Sequence, residues 1–222
     1  MIFFHPPDVT LRRVRRLLLI AGLTGLTASA GAAPEAVLSN DARVLLSRVT
    51  RSNDHGSAPF LLLDKRAARV WVFDALGRSK GSAPVLLGLA IGDDTAPGVA
   101  ELPLAQIADA ERTTPAGRFV IEPGRNLHGD DILWIDYASA VSMHRVRSVN
   151  AGERRLQRLA SPSAADNRIS YGCINVPVAF FNRLLTPFFK EARAVAYVLP
   201  ETRPLAAAFP FMTPPEPSAV AR

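Results

Sequence analysis

From residue 59 to residue 199 the chain consists of short strand-like segments separated by turn residues, and this pattern constrains the fold more than any other feature. Phe60–Asp64 is apolar almost throughout, and Arg69–Asp74 (RVWVFD) is rich in β-branched and aromatic residues. Leu76, Gly77 and Arg78 then make a turn, and Val85–Ile91 resumes the pattern. Gly117–Glu122, Ile132–Tyr137, Val141–Val146 and Ala194–Leu199 read as further strands. Short strands at this spacing predict a mainly β fold, a sandwich or barrel. Helix signals are confined to two places. Ala36 to Thr50 has Ser39 and Asn40 as candidate caps and Val37, Leu38, Leu45 and Val49 as a buried stripe. The second helix should follow Asn175 as its cap, with Pro177 in its first turn, and Phe180, Phe181, Leu184 and Leu185 on its apolar face. Pro187 should end or kink it.

The N-terminus reads as an export segment rather than part of the fold. Arg12, Arg13, Arg15 and Arg16 precede an apolar run from Leu17 to Ala28, and small residues follow to Ala33. This order is that of a secretory signal peptide over 1–33, cleaved near Ala30 or Ala32. The rival is an uncleaved anchor, although the run is short for a spanning helix. The predicted organisation is therefore a signal at 1–33, a helical and loop segment at 34–58, a strand-rich domain at 59–200 and a Pro-rich tail at 201–222, lying on the surface or disordered. The predicted location is the periplasm or cell envelope. Four Arg and one Asp give the first 30 residues a charge of +3, so of the total +6 the mature chain keeps about +3. With export and no basic stripe interleaved with aromatics, nothing points to a nucleic-acid partner.

Cysteine usage is informative. Export places the chain in an oxidising compartment, yet Cys173 is its one cysteine, so it is either a small buried hydrophobe or a reactive thiol. Its surroundings, Ser170-Tyr171-Gly172-Cys173-Ile174-Asn175, favour the second. The predicted helix start would direct backbone N–H groups and a positive helix end toward a thiolate, and Gly172 would let amides approach an oxyanion. A thiolate needs a base within reach. His5 lies in the export segment and His55 in a polar loop, His128 in an apparent turn, and His144 inside a strand-like run. Rigid strands position groups better than loops do, so His144 is the predicted base and His128 the alternative.

These residues together resemble the L,D-transpeptidase family (YkuD-type catalytic domain). Thr114-Pro115-Ala116-Gly117-Arg118-Phe119 is similar to its TPxGxF segment, Ser170 to Ile174 to its SxGC[IV] nucleophile motif, and His144 to its catalytic histidine. Leu61–Asp64 through Val70–Asp74 resembles its opening strands. The resemblance implies an exported transpeptidase acting on peptidoglycan stem peptides as donor and acceptor, in wall synthesis and cell shape. Cys173 would attack the carbonyl after an L-centre and form a thioester, with His144 as acid and base. Backbone N–H groups around Tyr171, Gly172 and Cys173 would stabilise the oxyanion, with Ser170 steadying the loop. No cofactor and no metal is implied.

The sequence departs from the family pattern at Asn175, where Arg is usual, and at Arg145, where Gly commonly follows the histidine. Both are candidate substrate-binding residues. The stretch between His144 and Cys173 is long and carries Arg147, Arg154, Arg155, Arg158 and Arg168. It reads either as a solvated loop or as a lid for stem carboxylates. Three other functions are compatible with parts of the sequence. One is an L,D-carboxypeptidase on the same fold. Another is a non-catalytic peptidoglycan-binding module. The last is a metal peptidase built on His128, Asp130 and Asp131.

Overall fold

A computed structural model of the chain describes residues 36–190 and 194–212. The predicted export segment lies outside the described residues.

An eight-stranded sheet runs in the order β3-β2-β1-β10-β5-β6-β7-β9. Its members are β1 (Phe60–Asp64), β2 (Arg69–Phe73), β3 (Ser79–Pro84), β5 (Gly117–Arg125), β6 (Asp131–Asp136), β7 (Val141–Arg145), β9 (Ile174–Val176) and β10 (Ala194–Val198). Neighbours are antiparallel except β1 with β10 and β7 with β9. A second, parallel pair joins β4 (Leu87–Gly88) to β8 (Arg168–Ser170). The chain is mainly β, as its segmentation predicts.

β1 and β10 are buried at every position. Alternate residues point to opposite faces, so each strand serves two cores. Leu61 and Leu63 pack with Val70, Val72, Met143, Ile174 and Val176 on one face. Phe60 and Leu62 pack with Trp71, Phe73 and Tyr197 on the other, beneath helix α1 (Asn40–Ser52). Ser39 caps α1 by accepting from the Ala42 N–H at 3.1 Å, and Leu45 and Val49 are its buried stripe.

The structure corrects three expectations. Val85–Ile91 supplies only the two-residue β4, and the longer strand is β3 just before it. β3 (SKGSAP) is largely exposed and pairs with β2 alone. An edge strand of small polar residues lacks the apolar signature of a central one. Asn175 caps no helix, because it lies inside β9 and helical structure begins at Val178. Pro187 does not end that helical run, which continues through residue 189. The run does widen to a π turn over Phe181–Leu185 just before Pro187, the kind of distortion expected of a proline inside a continuous helical run. Lastly, residues 201–212 are not a loose tail. Asp93 accepts backbone N–H groups of Glu201, Thr202 and Arg203. Glu201 pairs with Arg168 and with buried Lys65. Phe209 is fully buried against Tyr197. Two aromatics in this segment fill a core that the strands alone leave open.

Candidate active site

Strand pairing builds the site. Parallel pairing of β7 with β9 puts His144 opposite Asn175. β8 and β9 flank the turn Tyr171-Gly172-Cys173, so that turn is held on both sides while Cys173 stays partly accessible.

The turn is braced from within and from below. Ser170 Oγ accepts the Gly172 N–H at 3.1 Å and donates to the Cys173 carbonyl at 2.6 Å. Thr114, fully buried, donates its hydroxyl to the Gly172 carbonyl at 2.8 Å and accepts the Gly88 N–H at 2.9 Å. The Thr114 carbonyl accepts from Lys65 Nζ at 2.9 Å, and Lys65 also pairs with Asp93 at 2.9 Å. Gly172 has φ +122°, and a Cβ there would meet the Thr113 carbonyl oxygen at 2.7 Å. The TPAGRF and SYGCIN segments are thus in contact, and the glycine is required by how closely the two backbones approach.

Cys173 and His144 meet. The sulfur and the imidazole lie near enough to shift each other's ionisation, while the hydrogen-bond partners of Sγ are Ser142 Oγ and the Ala140 carbonyl, each at 3.7 Å. His144 Nδ1 lies 2.9 Å from the Arg145 carbonyl. Because that carbonyl can only accept, Nδ1 carries the proton and the lone pair of the neutral imidazole is on Nε2. Ser142, two residues before His144 and on the same face of β7, places its Oγ 3.7 Å from Sγ. Burial alone would raise the Cys173 pKa, but His144 and Ser142 outweigh it and bring the thiol below its ordinary value. Burial alone would lower the His144 pKa, yet the neighbouring Cys173 raises it. Both shifts favour an imidazolium–thiolate pair. The predicted helix end plays no part in this, since Cys173 leads into a strand.

The remaining predicted residues divide. Tyr171 lies under the Arg112 guanidinium, 4.1 Å from its ring centroid, which fixes the rim beside Cys173. The Gly172 N–H is used inside the loop, so it is not an oxyanion donor. Asn175 is 1 % exposed, too buried for the direct substrate contact expected of it. Its Nδ2 lies 3.5 Å from His144 Nε2, and its Oδ1 accepts from Arg155 at 2.6 Å. Arg145 is likewise committed: it donates to Asn182 at 2.7 Å and to the Asp131 carbonyl at 3.1 Å, and it stacks on Phe181. His128 lies exposed in the β5–β6 turn, where its N–H donates to Asn126. Asp130 and Asp131 are paired with Arg147 and Arg125, and among the described residues no group of three His, Cys, Asp or Glu side chains is placed to hold a metal ion.

The arginine-rich stretch divides: Arg147 and Arg154 are exposed, whereas Arg155, Arg158 and Arg168 are half-buried and bonded to the rest of the chain. Arg155, on α2 (Arg155–Ala160), pairs with Glu153 and reaches Asn175. Arg158 donates to the carbonyls of Glu153 and Asp166, and Arg168 to that of Lys65. The sequence reading gave no role to Ser142, Thr114 or the Arg145 carbonyl. Ser142 was available from strand alternation, and Thr114 from its motif. Nothing local singles out Arg155.

No family model matches the chain, and no curated protein matches it. Solved structures similar to it include the helical cell shape determining protein Pgp2 from Campylobacter jejuni, at 12 % identity and a TM-score of 0.43, covering 66 % of this chain and 49 % of that one. The catalytic domain of the E. faecium L,D-transpeptidase is 18 % identical with a TM-score of 0.37, covering 64 % of this chain and 98 % of that one. An L,D-transpeptidase from Xylanimonas cellulosilytica is 13 % identical with a TM-score of 0.41, covering 64 % and 60 %. The chain spans about half of the Pgp2 structure. Likeness at this level leaves any functional reading to the residues of the site.

Proposed function

We propose that the protein is an exported cysteine acyltransferase of the L,D-transpeptidase type, acting on peptidoglycan stem peptides. The observation that carries this reading is the pairing of β7 with β9, which sets His144 and Ser142 beside the Cys173 turn, with Ser142 Oγ 3.7 Å from the sulfur and His144 Nδ1 held by the Arg145 carbonyl. A non-catalytic binding module would not need that arrangement, nor the Thr114 brace under the nucleophile.

In the proposed reaction the Cys173 thiolate attacks the carbonyl that follows an L-centre, and the electron pair of that carbonyl moves to oxygen. Backbone N–H groups of the nucleophile turn other than that of Gly172 stabilise the oxyanion. Collapse of the intermediate breaks the peptide bond, and the His144 imidazolium gives its proton to the departing D-alanine amine. A thioester remains on Cys173. His144, now neutral, accepts a proton from an acceptor amine of a second stem as that amine attacks, and Cys173 leaves as the thiolate, which restores the imidazolium–thiolate pair. Water in place of the amine gives a carboxypeptidase.

Incubation of the chain with tetrapeptide stems tests this, read by mass spectrometry of the protein and the products. The expected result is an adduct on Cys173 equal to the stem less its terminal residue, followed by cross-linked or trimmed peptide. Turnover surviving in Cys173→Ser refutes the reading. Export is tested separately: the mature chain should begin between Gly31 and Pro34, and N-terminal sequencing that finds Met1 retained would indicate an anchor instead.

A further inference from the structure

The two halves of the proposed reaction ask opposite things of His144. In the free protein a thiolate beside it favours the imidazolium. Once Cys173 is acylated that charge is gone, and the imidazole must wait as a neutral base with a lone pair for the acceptor amine. Nδ1–H is engaged with the Arg145 carbonyl, so Nε2 must provide the lone pair. What lies against Nε2 therefore decides how good a base it is.

The group against it is the Asn175 side chain, with Nδ2 at 3.5 Å. An amide has two ends with opposite consequences. The NH2 end tolerates a lone pair on Nε2 and opposes a proton there. The oxygen end would accept from Nε2–H and hold the imidazole protonated. Arg155 settles the choice: its Nη1 donates to Asn175 Oδ1 at 2.6 Å, and a guanidinium has no acceptor, so the oxygen faces Arg155 and the NH2 faces His144. Glu153 holds Arg155 in place through an ion pair. Asn175 is fixed by its backbone, which exchanges hydrogen bonds with Leu86 at 2.8 and 2.9 Å. The charged groups facing the imidazole are Cys173 from the nucleophile turn and Arg155 from α2, backed by Glu153. The Arg145 guanidinium is turned away to Asn182 and Asp131. With the thiolate gone, burial and the Arg155 charge both act against a proton on His144.

We propose that Arg155, acting through Asn175, is a positioning residue for the transfer half of the reaction, keeping His144 Nε2 unprotonated toward the acceptor while Cys173 is acylated. This rests on the cysteine acyltransferase reading, deepens it, and gives the arginine-rich stretch a function inside the site.

Two measurements test it. In the first, Cys173 of the full chain is capped as a methyl disulfide with methyl methanethiosulfonate, which mimics the uncharged acylated sulfur, and the His144 imidazole is titrated by NMR. Arg155→Met should bind the imidazole proton about tenfold more tightly than the unaltered chain. Asn175→Asp, which keeps the Arg155 contact but turns a carboxylate oxygen toward Nε2, should bind it more tightly still. Arg155→Lys should recover most of the difference, because an ammonium also donates to Oδ1. In the second, acylation by a tetrapeptide stem and resolution of the thioester by an acceptor amine are timed separately. Arg155→Met should slow resolution about tenfold near neutral pH and move its acid limb upward, while acylation changes less than about threefold. An unchanged His144 titration, or equal losses in both half-reactions that Arg155→Lys does not restore, overturns the proposal. If the unaltered chain forms no thioester while the capped protein titrates as stated, the arrangement around Nε2 is upheld and the acyltransferase reading falls.

Discussion

Replacing Thr114 by Val isolates the brace beneath the nucleophile turn. The side chains are nearly equal in volume, so the substitution removes a hydroxyl and little else. That hydroxyl donates to the Gly172 carbonyl at 2.8 Å and accepts the Gly88 N–H at 2.9 Å, at a position with no solvent exposure. The backbone around Gly88 is closely packed, since a Cβ there would come within 2.2 Å of the Arg112 carbonyl oxygen. Each orphaned buried group costs about 1–3 kcal/mol. The added methyl recovers up to about 0.8 kcal/mol of that. The expected loss of stability is about 1–5 kcal/mol, read as a lower urea midpoint with an unchanged slope. The turn should also loosen, so Cys173 alkylation should lose its pH profile in conditions where the variant is still folded. Thr114→Ser keeps the hydroxyl and loses only the methyl, at about 1 kcal/mol. If Thr114→Val stays within about 0.5 kcal/mol of the parent, or if Thr114→Ser is equally damaged, the hydroxyl is not what holds the turn.

Further outcomes follow from the same geometry. Gly172→Ala combines a φ reserved for glycine with a Cβ at 2.7 Å from the Thr113 carbonyl. It should cost about 2–4 kcal/mol in denaturant unfolding, and a neutral result would show that the turn relaxes freely. His144→Ala should fold normally, shift the Cys173 alkylation profile toward the ordinary thiol range and lose on the order of 10²–10⁴-fold in turnover. His128→Ala should change neither, and the reverse pattern would make His128 the base. Burial would raise the Asp93 carboxyl, but hydrogen bonds from Thr202, Lys65 and the Glu201 and Thr202 N–H groups hold it well below the usual carboxylate range. A carboxyl depressed in the folded state adds stability above its unfolded value near 4 and loses it as pH falls through the folded one. Asp93→Asn should therefore flatten the fall of the urea midpoint between about pH 5 and 2, and an equally steep fall in the variant would place the acid sensitivity elsewhere.

By itself the sequence determined the local elements that bury apolar side chains. β1, β2 and β10 appear where runs such as FLLLD and RVWVF place them, because a strand buried on both faces carries its own hydrophobic signature, and β5, β6 and β7 appear where β-branched and aromatic residues cluster between turns. It also singled out Cys173 and His144 as the candidate pair. A lone cysteine preceded by glycine, and a histidine within a strand, are chemically distinctive before any fold is known. The signal failed where an element earns its place through partners distant in the chain. β3 is an edge strand without an apolar pattern, β8 and β9 are three residues each, and residues 201–212 look like a proline-rich tail until Phe209 and Glu201 find their partners. Asn175 reads locally as a helix cap, but its pairing across from His144 makes it a strand residue facing an imidazole. Arg155 shows the same limit. In sequence it is one arginine among five in a polar stretch, and its reach to Asn175 exists only because the insertion folds α2 back onto β9. Residue type is written in the sequence, but hydrogen-bond partners act over about 3 Å, and only the packed chain sets which groups come that close.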